Sequence, residues 1–191
     1  MNASPVDPGG RVLVIGYGNS LRGDDGAGWH AAAALAGAPW LAGADVLACH
    51  QLAPELAEDI AHARLVVLID ACDDGAPPGT VSVRRVEPGY PPVPTCSHNL
   101  EPAALVSLAE TLYGGSPPMF LVTVTGAFFG YRDRLSPAVR QALPEITDTI
   151  DFLQAQHAPG LRRRRTPSES LPSSRPVAAG HKRPQPGADR G

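Results

Sequence analysis

Two carboxylates and one imidazole stand where their side chains can converge. Asp25 follows the apolar run Val12–Ile15 and a pair of glycines. Asp70 closes the run Leu65–Ile69, and His98 precedes a stretch that opens a helix near Pro102. Two acids and an imidazole form an N/O ligand set suited to a borderline divalent metal such as nickel or zinc. The imidazole can bind in its neutral form once its other nitrogen has a fixed partner. The same two acids can instead work as a general acid/base pair. Taken singly, each has a plain structural reading. Asp25 suits the first turn of a helix, Asp70 suits loop N–H groups at a strand end, and His98 suits a helix start.

The element that positions Asp25 is a strand, a glycine loop and a helix. Val12-Leu13-Val14-Ile15 reads as a buried strand, Gly16 and Gly18 allow a tight turn, and the Ala-rich run Trp29–Leu35 reads as a helix. Asp24 is expected to cap that helix, and Asn19 to pin the loop through bonds to its own backbone. A loop of this shape suggests a phosphate cradle, but a phosphate needs bare N–H groups and positive charge at the helix start. Asp24 and Asp25 place negative charge there. The glycine after Gly16-x-Gly18 stands at 23 rather than 21, which breaks the dinucleotide fingerprint.

Asp70 is positioned by the strongest strand signal in the chain. Five consecutive apolar residues, Leu65 to Ile69, imply burial on both faces, as in the middle of a parallel sheet. Gly43–Ala48 reads as a short strand, Pro54 and Leu56 open a helix, and Thr80–Val86 alternates as an edge strand. Met119–Val124 forms the last strand. Between these, Pro102 opens a helix with a buried stripe of Leu105, Leu108, Ala109 and Leu112, stopped by Gly114-Gly115. Ser136-Pro137 opens the final helix, whose Val139, Leu143, Ile146, Ile150 and Leu153 lie on one face. Strands alternating with helices imply an α/β three-layer sandwich, a twisted, mostly parallel sheet of about five strands with helices on both faces. Sites in such sheets form beyond the carboxyl ends of the strands.

The 191 residues fit one domain over 11–158, a loose leader over 1–10, and a Pro/Arg-rich tail over 159–191 that is expected to be disordered. Charge divides along the same line. Residues 1–158 hold 8 Arg against 17 Asp and Glu, a net −9, and residues 159–191 hold 8 Arg and Lys against 2 acids, a net +6. So acidic a body excludes nucleic-acid binding. No apolar run approaches a membrane span, and Met1–Pro5 lacks the pattern of a secretory signal, so the expected compartment is the cytoplasm. Cys49, Cys72 and Cys96 are odd in number and unpatterned, which fits free thiols. A monomer is the default.

At its chemical residues the chain resembles the hydrogenase maturation endopeptidases, which trim the C-terminus of the large subunit of nickel–iron hydrogenases. The family opens with a strand, GxGN and an acidic pair before Gly, matched by Gly16-Tyr17-Gly18-Asn19 and Asp24-Asp25-Gly26. Its second acid closes an apolar strand, matched by Ile69-Asp70-Ala71. Its histidine precedes a helix, matched by Ser97-His98-Asn99-Leu100. Pro54-Glu55-Leu56 and Leu135-Ser136-Pro137 add to the likeness, which spans roughly residues 11–153. Gly126-Ala127-Phe128-Phe129 departs from it, standing where many members carry Gly-x-x-Pro; this bears on the substrate subgroup.

The resemblance implies a protease, aspartic-type by family label, with Asp25 and Asp70 as catalytic groups. It also implies that Asp25, Asp70 and His98 read a nickel ion, with Gly16, Gly18, Asn19 and Asp24 as the supporting loop. The nickel belongs to the substrate, the precursor of a hydrogenase large subunit, and is not a resident cofactor. Either the two acids or the metal would activate the water. A nickel-sensing chaperone that engages the precursor without cutting is the alternative, and a nucleotide-binding α/β protein is the least favoured.

Overall fold

The computed structural model describes residues 10–41, 43–89 and 100–159. Apart from Gly10 and Pro159, the expected leader and tail lie outside the described residues, as do Cys96 and His98. The first strand, β1, spans Val12–Tyr17 and is followed by a 3-10 turn over Gly23–Gly26 and by α1, Ala27–Leu35. Then come β2 (Ala44–Cys49), α2 (Leu56–His62), β3 (Leu65–Cys72) and β4 (Val81–Arg85). The chain ends in α3 (Pro102–Tyr113), β5 (Met119–Thr125) and α4 (Pro137–His157).

The strands form one sheet in the order β2-β1-β3-β5-β4. All neighbours run parallel except β4, which lies antiparallel on β5. The central place of β3 follows from its sequence, since Leu65 to Ile69 are all fully buried. Each such side chain removed from water contributes roughly 1.5–3 kcal/mol, a gain that an edge position would forfeit on one side.

Alternation along the strands sorts the core into two layers. Val12, Val14, Val67, Ile69, Val122 and Val124 pack with α1 and α4 on one face. Leu13, Ile15, Val66, Leu68, Met119 and Leu121 pack with α2 and α3 on the other. The result is an α/β sandwich of three layers. Among the described residues no helix is long and apolar enough to cross a membrane.

Most helix ends follow the sequence signals. Ser136 caps α4, its Oγ accepting the Val139 N–H at 3.4 Å, with Pro137 in the first turn. Gly114 ends α3 in the left-handed conformation, at φ 72°. The expected stripe on α3 is only partly right. Leu105 and Ala109 are buried and Leu108 is partly so, but Leu112 is 61% exposed and Val106 is buried instead. The buried face centres on Leu105, Val106 and Ala109, while the last turn of α3 meets the end of α2 through Tyr113 and His62, whose rings lie 6.5 Å apart. The strand carrying Asp70 is also longer than expected. β3 continues to Cys72, with Asp70 opposite Thr123 of β5.

Candidate functional site

The site lies at the carboxyl edge of the sheet, where β1 and β3 run side by side. Gly16 pairs with Ile69, so Tyr17 and Asp70 are the next step along that ladder. Tyr17 packs against the layer containing α2 and α3, the face toward which alternation from Ile69 also turns Asp70. The close turn after β1 depends on glycine at two places. A Cβ on Gly16 would run into the Gly28 carbonyl of α1. One on Gly18, whose φ is +129°, would meet the carbonyl oxygen of Asp25.

Asn19 frames the first carboxylate. Its side-chain Oδ1 accepts the Leu21 N–H at 3.0 Å, folding the loop back on itself, and its own N–H donates to Asp25 Oδ2 at 3.1 Å. Asp25 is thus held by the loop that precedes it, in the 3-10 turn and partly open to solvent. Asp70 is held from its own strand, with Oδ1 accepting the Ala71 N–H at 2.8 Å. Burial pushes the Asp70 carboxyl from its ordinary 3.8 up to about 6, and the negative charge of Asp25 adds to the rise. Hydrogen bonds from the Tyr17 hydroxyl and the Ala71 N–H oppose it. The same burial, with the charge of Asp70, drives the Tyr17 phenol well above its ordinary range, so Tyr17 stays a hydrogen-bond donor.

Asp24 is not the helix cap that its position suggests. Gly26 precedes α1 and no side chain caps it. Asp24 is fully buried and turns to the loop after β5. Its Oδ2 accepts the N–H groups of Ala127 at 2.8 Å and Phe128 at 3.0 Å, and its Oδ1 accepts that of Ser136 at 2.7 Å. Three donors satisfy a buried charge that would otherwise be prohibitive. Backbone bonds run beside them, from Gly23 N–H to the Arg132 carbonyl at 2.7 Å and from Arg132 N–H to the Leu21 carbonyl at 2.9 Å.

The structure therefore brings Asp25 and Asp70 within electrostatic reach of each other, and places Gly16, Gly18 and Asn19 in the loop that holds Asp25. His98, the expected third member, lies outside the described residues. Among the described residues no three His, Cys, Asp or Glu side chains gather closely enough to hold a metal ion. Tyr17 joins these groups, though no motif in the sequence singles it out. Its signal is parity: it shares the face of Ile15, but only the β1–β3 register reveals that this face adjoins Asp70. A shallow cavity of about 480 Å3 beside Arg11, Asp45, Asp59 and His62 lies at the opposite, amino edge of the sheet and touches none of these groups.

No protein-family model matches the sequence, and no curated protein is significantly similar to it. Solved structures do share its fold. The nickel–iron hydrogenase maturation protease HycI from Thermococcus kodakarensis KOD1 superposes with a TM-score of 0.60 at 21% identity, over 73% of this chain and 89% of that one. The hydrogenase maturating endopeptidase HybD from E. coli gives 0.57 at 22%, over 78% and 94%. A hydrogenase 2 maturation peptidase from a Thaumarchaeota archaeon gives 0.58 at 24%, over 80% and 99%. At these identities the likeness establishes a common fold.

Proposed function

We propose that the chain is an endopeptidase that removes the C-terminal extension from the nickel-loaded precursor of a nickel–iron hydrogenase large subunit. The observation that supports this reading is the electrostatic coupling of Asp25 and Asp70 at the carboxyl edge of a sheet whose fold is that of maturation proteases. Nickel arrives with the substrate. The Asp25 and Asp70 carboxylates offer it two oxygen ligands, and His98 is the residue proposed to supply the nitrogen. A precursor without metal would leave the charges of two coupled carboxylates uncompensated, which supports discrimination by metal content.

With a carboxyl at about 6, Asp70 exchanges a proton readily near neutral pH. It suits the role of taking a proton from water and returning it to the departing amine, with Asp25 as its charged partner. The label aspartic-type belongs to this reading, as do a cytoplasmic location and a monomeric state. Incubation of the purified chain with the nickel-loaded precursor from the same genome tests it. The expected result is a loss of mass at the precursor's C-terminus. A stable complex of unchanged mass would replace the protease with a non-cleaving chaperone.

A further inference from the structure

Beside Asp25 the molecule carries an unusual surface. Leu21 is 53% exposed, Phe128 39% and Tyr131 90%, and Arg22, Arg132 and Arg134 are exposed among them. These six residues come from two segments far apart in sequence that are bound into one unit. Asp24 ties them from beneath through Ala127, Phe128 and Ser136, and Arg22 pairs with Arg132 as a parallel β-bridge. The Arg132 guanidinium lies 4.6 Å from the centre of the Phe128 ring, so cation and aromatic are ordered before any partner arrives. Tyrosine and arginine are, with tryptophan, the residue types enriched where binding energy concentrates, and prior ordering lowers the cost of association.

We infer that this surface docks an acidic, apolar-bearing segment of the precursor polypeptide that flanks the scissile bond. The inference rests on the protease reading above. Position supports it, because Leu21 and Arg22 are only a few residues from Asp25 along the chain. An extended substrate advances about 3.3 Å per residue, so a peptide bond held at Asp25 and Asp70 must lay its neighbours on adjoining surface. Charge supports it too. The three arginines, accompanied in these two segments by one exposed acid, Asp133, stand on a body that is net −9 over residues 1–158. An acidic partner is attracted here and repelled elsewhere on that body. The chain's own tail, net +6 over 159–191, has the wrong sign to occupy this surface.

The test compares initial rates on the nickel-loaded precursor for the wild type, Tyr131→Ala and Arg132→Glu, with Tyr113→Ala on α3 as a control. Both docking variants should raise KM about tenfold with kcat within about twofold, the arginine effect shrinking at high salt, and the control should match the wild type. A KM within about twofold of wild type for both variants overturns the inference. So does a wild-type dimer that either variant dissociates, which would assign the surface to a second copy. If the wild type does not cut, the protease reading fails, and affinity for the immobilised precursor decides the docking surface. A tenfold loss in Tyr131→Ala sustains it, and equal binding, or no binding by the wild type, overturns it.

Discussion

Replacing Asp70 by asparagine should stabilise the protein at neutral pH. Its carboxyl is raised from 3.8 to about 6 on folding, chiefly by burial. Between these values the folded state holds more protons than the unfolded one, so stability falls as pH rises through the window from about 4 to 6. At about 1.4 kcal/mol per tenfold change in proton affinity, the charged form costs about 3 kcal/mol above pH 6. Asparagine is close in shape, keeps an oxygen for the Ala71 N–H and can still bond the Tyr17 hydroxyl. Urea unfolding at a series of pH values should therefore show the variant equal to the wild type near pH 3.5. Its advantage should grow up to pH 6 and level off at no more than about 3 kcal/mol. A variant less stable than wild type at pH 7.5, or an advantage independent of pH, would refute the account of why this carboxyl is raised. The same variant should lose precursor processing, so that stability and activity move in opposite directions.

Asp25→Asn is expected to abolish processing while circular dichroism and thermal melting remain those of a folded protein; full activity would remove Asp25 from the chemistry. Asp24→Ala should act mainly on stability. It strands three N–H groups, that of Ser136 buried and those of Ala127 and Phe128 partly buried; at roughly 1.5–3 kcal/mol per bond to a charge, reduced because they share one carboxylate and two can turn to water, the loss is about 4 kcal/mol. That lowers the urea midpoint by about 2 M, and a fall under about 0.5 M would contradict the role given to this residue. Tyr17→Phe removes a donor that holds the Asp70 carboxyl down, so NMR titration should find that carboxyl above about 6; a value unchanged or lower would contradict the Tyr17–Asp70 bond. Truncation after Ala158, which is itself fully buried, should leave processing intact, and an inactive product would give residues 159–191 a role.

The layers of the fold were legible because their signals are local. Five apolar residues in a row announced β3 as central, and Ser136-Pro137 with a one-faced apolar repeat announced α4. What escaped was set by partners distant in sequence. Asp24 looks like a cap within a few residues of its helix, but its three donors stand 103, 104 and 112 residues away. Leu112 fits the repeat of α3, but its exposure is set by what packs against the end of that helix, not by the repeat. For the site, the acids were visible from strand ends and motif. Tyr17 was not, since its importance depends on the strand order that sets β1 against β3.

Because one buried anion serves both segments, residues 20–25 and 126–136 form a matched set. A chimaera that imports only the second segment from a distant homologue would leave that carboxylate in a dry interior without its donors, and one that imports only the first would orphan the donors. Exchanging both together keeps the charge neutralised, which makes the pair, rather than either half, the natural cassette for altering the surface they carry.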